Sequence, residues 1–70
     1  MEQRVERLSP RQREILSLLA TGLTTKAVAL RLEPPCSAET VKEQLGRIYA
    51  RLGVSGRVEA VAVWLRSTGV

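Results

Sequence analysis

Lys42, Glu43 and Arg47 sit close together in a chain of 70 residues. At about 100° per residue, a helix would bring them to one side together with Gly46. Lysine and arginine donate hydrogen bonds, and glutamate accepts them. Such a set suits recognition rather than bond-making. Lysine and arginine match the O6 and N7 acceptors on a guanine edge, and glutamate matches the N4 donor of cytosine. Gly46 and Ala50 are small, so a helix carrying them could bring its backbone close to base pairs. Around this centre, Thr25, Lys26, Thr40, Arg51 and Arg57 have the side chains that phosphate oxygens accept from. The expected reading set is therefore Lys42, Glu43, Gly46 and Arg47, with those five on the DNA backbone.

Catalytic chemistry finds little support. The chain has no histidine, so it offers no His-based triad and no plausible metal cluster. Its single cysteine, Cys36, cannot form an internal disulfide. It stands beside two prolines and has no histidine base, so it reads as a small, partly buried apolar residue. No glycine-rich phosphate loop is present. We expect no enzyme, no catalytic residue, no cofactor and no metal. No apolar run is long enough to span a bilayer, and the N-terminus has no signal-peptide pattern. The expected setting is the cytoplasm, with no membrane partner.

The net charge is +4, and nine of the eleven basic residues are arginine. Arginine is the better fork for phosphate and guanine. The balance leans towards a polyanion. Apolar residues make up 44% of the chain, enough for one core built from Leu, Val, Ile and Ala.

The elements that must hold the reading set are helical. Met1 to Leu8 reads as a linker stub or a fraying first turn, and residues 9–70 as one domain. Ser9, Pro10 and Gln12 form a helix start with a capping box. Ile15, Leu16, Leu18 and Leu19 give that helix its apolar face, and Gly22 stops it. Thr24 can cap a second helix, about residues 25–32, with Ala27, Val28 and Leu32 inward. Pro34 and Pro35 break the pattern. Ser37 can cap a third helix over residues 38–52. There Val41, Leu45, Ile48 and Leu52 form one stripe, the clearest periodic signal in the chain. Gly53 ends it, with Val54 folding back on Tyr49. Ser55 can cap a fourth helix, about residues 56–67. Val58, Val61, Ala62 and Leu65 make its expected inward face. Ala60, Val63 and Trp64 are left over as a second apolar face for a homodimer. The predicted fold is all-α, a four-helix helix-turn-helix domain.

Four stretches together resemble the LuxR-type (GerE-like) DNA-binding domains of bacterial transcription regulators. They are Leu8 to Leu16; Gly22-Leu23-Thr24-Thr25-Lys26; Ser37 with Thr40-Val41-Lys42; and Ile48 to Val61, which contains Leu52-Gly53-Val54-Ser55-Gly56-Arg57. The resemblance runs from Leu8 to about Leu65. It implies a third helix that reads double-stranded DNA and a fourth that often pairs two copies. It also implies that Lys42, Glu43 and Gly46 face bases, while Lys26, Thr40 and Arg57 meet backbone. The chain departs from the pattern at several points. Glu33-Pro34-Pro35-Cys36 is longer than the usual connection, Ala27 replaces a common glutamate, and Gln44 replaces a common histidine. Glu43 and Gly46 replace a more basic or polar pair.

Two other readings use the same residues. The acidic centre of the third helix and the apolar fourth helix would suit a protein-interaction module docking on RNA polymerase or a sensor domain. A sigma region 4-like promoter-binding domain shares the opening and the Thr40-Val41-Lys42 run. The Leu52-to-Arg57 stretch favours the LuxR type.

Overall fold

Ser9 starts the first helix as a capping box should. Its hydroxyl accepts from the Gln12 amide at 3.1 Å, while the Gln12 side chain accepts from the Ser9 amide at 3.0 Å. In the structure, a computed structural model describing residues 4–68 (Thr68 by its backbone alone), this opens α1 over Pro10–Ala20. Three further helices follow: α2 over Thr25–Arg31, α3 over Ala38–Leu52 and α4 over Arg57–Thr68. No strand occurs among the described residues. Thr24 and Ser37 cap α2 and α3, each accepting from the amide three residues on. Such caps satisfy amides that have no partner within the helix, each contributing about 1 kcal/mol.

Glycine does the stopping where the chain must turn left-handed. Gly22 follows the end of α1 with φ 95°, and Gly53 follows α3 with φ 71°. At Gly53 the geometry is a Schellman closure: its amide donates to Ala50 and the Val54 amide donates to Tyr49.

The stripe Val41, Leu45, Ile48 and Leu52 is buried along its whole length. It meets Ile15, Leu16 and Leu19 of α1, Val28 and Ala29 of α2, and Leu32 just after α2, in one core. α2 packs on α3, while α1 lies against both α3 and α4. A domain this small buries only about 60% of its unfolded surface, so each seam residue carries a large share of the stability.

Three expectations need correcting. The first concerns the stretch expected as a linker or fraying turn. Its described part, residues 4–8, packs on the body: Arg4–Arg7 form a short 3-10 turn, and Leu8 enters the core. Arg4 Nη1 donates to the Leu52 carbonyl at 2.9 Å, and Arg51 Nη1 to the Arg7 carbonyl at 2.9 Å. These bonds tie the segment to the C-terminal end of α3, whose last carbonyls have no partner within the helix. Residues 1–3, also part of that expectation, lie outside the described residues.

The second concerns the phase of α4, which is opposite to expectation. Ala60 and Val63 are 0% and 1% exposed and belong to the core, and Trp64 is half-buried against it. They cannot form a free dimer face. The stripe expected inside is the outer one: Val58 is 83% and Leu65 54% exposed, with Val61 and Ala62 half-buried between them. Residues 60–65 are apolar nearly all round, so periodicity could not choose the face. The choice came from α1 and the 3-10 turn, which both pack on α4.

The third is Ser55, which does not cap α4. The helix's first hydrogen bond runs from the Ala60 amide to the Gly56 carbonyl. Ser55 turns instead to the Glu59 carboxylate, to which both its amide and its hydroxyl donate. Those bonds hold the Glu59 carboxyl below its ordinary pKa.

Candidate nucleic-acid interface

Sinking one stripe of α3 into the core turns the opposite side outward. Lys42, Glu43, Gly46 and Arg47 are all exposed there, as are Glu39 and Ala50. Helical spacing makes them neighbours on one face. The side chains of Lys42, Glu43 and Arg47 make no hydrogen bond or ion pair to any described residue. The Glu43–Arg47 spacing is the favourable one for a helix ion pair, yet neither side chain is used that way.

Gly46 has no folding reason to be glycine. Its φ is not in the left-handed region, and a Cβ built on it meets nothing within 4 Å. Gly46→Ala should therefore stabilise the domain by about 0.5–1 kcal/mol. The urea midpoint reads this directly; a lower midpoint would mean that the position is packed.

The turn that aims α3 is held firmly. Arg11 of α1 reaches across to it, donating to the Glu33 carbonyl at 3.0 Å and the Pro34 carbonyl at 2.9 Å. The Cys36 amide donates back to Ala29 at 3.1 Å. The segment from Glu33 to Cys36 is thus clamped to α1 and α2. A further tie was not visible in the sequence. Gln12 is 5% exposed, and its Nε2 donates to Gln44 Oε1 at 3.3 Å, joining the start of α1 to the middle of α3. A glutamine at that point of a helix start reads as a cap, and nothing local reveals its second partner. Leu30, 66% exposed on α2, was missed as well.

The five outlying residues divide into two groups. Lys26 is exposed with no partner among the described residues, and Thr25 is half-buried beside it at the start of α2. Thr40 is exposed, its hydroxyl paired with that of Ser37 at 3.0 Å. Arg51 and Arg57 are exposed but already employed. Arg51 holds the Arg7 carbonyl, and Arg57 Nη2 donates to the Leu23 carbonyl at 2.8 Å. That bond brings Arg57 beside the start of α2, near Thr25 and Lys26. Arg57 also faces Tyr49: burial pushes the Tyr49 phenol above its ordinary pKa, and the Arg57 cation opposes the rise. Thr40 and Arg51 lie near opposite ends of α3, about 16 Å apart along the axis, so no single phosphate could meet both.

Beyond this face the described surface has an open apolar groove of about 280 Å³, lined by Leu19, Ala20, Gly22, Arg57, Val58 and Val61. Among the described residues, no group of three His, Cys, Asp or Glu could hold a metal ion. None of their helices is long and apolar enough to cross a membrane.

The model of the family described as "Bacterial regulatory proteins, luxR family" matches residues 6–64. A probable HTH-type transcriptional regulator GfsR of Streptomyces halstedii is 39% identical over 62 residues, covering 89% of this chain and 25% of the relative. The nitrate/nitrite response regulator protein NarL of Escherichia coli (strain K12) is 41% identical over 64 residues, covering 91% of this chain and 28% of the relative. A probable transcriptional regulatory protein SgaR of Hyphomicrobium methylovorum is 44% identical over 59 residues, covering 84% and 27%. The chain thus spans about a quarter of the length of these three relatives. No solved structure matches at the same level of significance.

Proposed function

The chain belongs to the luxR family of bacterial regulatory proteins, DNA-binding regulators of transcription, and we propose that it docks α3 in the major groove of double-stranded DNA. The carrying observation is the outward face of α3. It presents two cations, a carboxylate and a bare glycine, none of them tied to the rest of the described chain. Lys42, Glu43, Gly46 and Arg47 meet base edges. Lys26, Thr25 and Thr40 meet phosphates, joined by the donors of Arg51 and Arg57 that remain after their internal bonds, since a guanidinium carries five N–H groups. Lys26, Arg51 and Arg57 at the rim and a carboxylate at the centre suit this division, because phosphates border the groove and base edges line its floor.

Binding as a homodimer is the second part of the reading. The free stripe of α4, Val58, Val61 and Leu65, with the groove beside it, offers a second copy an apolar surface. Action on the chromosome would put the protein in the cytoplasm.

A salt titration tests the proposal. A domain making about four to six phosphate contacts per copy should lose affinity with a log–log slope of roughly −4 to −5 per copy. Fluorescence anisotropy on a labelled duplex gives the slope, and analytical ultracentrifugation of the complex gives the copy number. A flat response, or no binding at about 50 mM salt, would overturn the proposal and favour docking on a protein such as RNA polymerase. One copy per site would overturn the dimer alone.

A further inference from the structure

α3 carries a carboxylate where a general binder of phosphate would not want one. Glu43 stands at the centre of the exposed face, with Glu39 four residues before it. That spacing sets two like charges together and weakens a helix. The available relief, an ion pair with Arg47 four residues on, is not made among the described residues. The Glu43 side chain also makes no hydrogen bond among the described residues. Its carboxylate is thus exposed, unpaired and adjacent to Gly46, where no side chain stands in its way and a Cβ would meet nothing within 4 Å.

Resting on the DNA-reading proposal above, we infer that Glu43 selects a cytosine, through its N4 amino group, at one position of the bound site. The argument is one of exclusion by charge. An ionised carboxylate only accepts hydrogen bonds. In the major groove guanine shows two acceptors, N7 and O6, and thymine shows O4 and a methyl group. All of these leave a buried carboxylate unpaired or repelled. Adenine has a donor at N6 but places the N7 acceptor beside it, which repels the second carboxylate oxygen. Cytosine alone presents a donor with no acceptor of its own on that edge. Its paired guanine supplies O6 and N7 within the same base pair. Lys42, one residue away, and Arg47, one turn on, have the charge to take those acceptors. The acid and the flanking cations would then read the two halves of one C·G pair or of adjacent pairs.

The test is in-vitro selection from random duplexes with the 70-residue chain and with Glu43→Gln, followed by competition binding on the selected site. Glutamine is isosteric and keeps the helix, which circular dichroism verifies. It can bond adenine N6 and N7 together. The expected result is one position that changes from cytosine to adenine while the others stay as they were. On the wild-type site, the preference for cytosine over adenine at that position should fall by about tenfold or more. If the wild type selects a motif and Glu43→Gln selects the same one, the inference is wrong though the DNA reading stands. It is equally wrong if Glu43→Gln tightens binding to all sequences equally, because Glu43 would then only repel phosphate. If the wild type enriches no motif at all, the DNA reading fails and this inference with it.

Discussion

Ile48→Ala is expected to lower the melting temperature by roughly 10–30 °C and to leave a substantial unfolded fraction under ordinary growth conditions. Ile48 has no exposed surface and stands in the middle of the α3 seam. Truncating a buried isoleucine costs about 2–5 kcal/mol, part from lost transfer energy and part from the cavity left behind. A chain of this length holds only about 4–10 kcal/mol in total. The core offers little means of closing the gap, since it contains no phenylalanine and Ile15, Val28, Val41 and Val63 among its fully buried side chains are β-branched and stiff. Thermal unfolding followed by circular dichroism reads the effect. Val58→Ala is the control, measured on dilute protein without DNA so that no second copy covers α4: Val58 is 83% exposed in the single chain, so its loss should there change stability by no more than about 0.5 kcal/mol. Equal effects at the two positions would mean that α3 does not bury this stripe.

That contrast between Ile48 and Val58 also marks what the sequence could convey. The α3 stripe was legible because polar residues separate its members, leaving a single phase possible. Its ends were legible for a different reason. Ser37 and Gly53 are each required by backbone chemistry, one by an amide without a helical partner and the other by a left-handed turn. The outward placement of Lys42, Glu43, Gly46 and Arg47 follows from those two facts. α4 lacked such constraints. Its apolar run leaves nearly every phase open, and long-range packing on α1 and the 3-10 turn decided the matter. The dimer face assigned to Ala60, Val63 and Trp64 failed there. Long arginines were hidden in another way. Arg11, Arg51 and Arg57 all reach backbone carbonyls at least 22 residues away in sequence, and no local pattern announces such a tie. Three residues suited by type for external contact thus also hold the domain together. Arginine serves both uses because its fork can bond a carbonyl with one arm and leave the others free.

Lys42 is free of that double duty, so it separates recognition from folding. Its side chain is exposed and has no partner among the described residues. Lys42→Ala should therefore leave the melting temperature almost unchanged, since exposed substitutions of this sort stay within about 0.5 kcal/mol. Binding should respond strongly. If Lys42 meets a guanine edge, affinity for the preferred duplex should fall by about 1–3 kcal/mol while other duplexes lose less, and preference at one position should relax. If Lys42 meets a phosphate instead, all duplexes should weaken alike and the salt slope should fall by about 0.9. Anisotropy titrations of one preferred and one scrambled duplex at several salt concentrations distinguish the two results. The base-reading outcome is the one expected. Glu39, three residues before Lys42, lies next to it on the exposed face of α3, and a phosphate close enough for Lys42 would press on that carboxylate. Over a base pair the conflict disappears, because acceptors and donors lie side by side on the groove floor. Unchanged binding to every duplex would mean that this face of α3 does not touch DNA, and the major-groove reading would have to be abandoned.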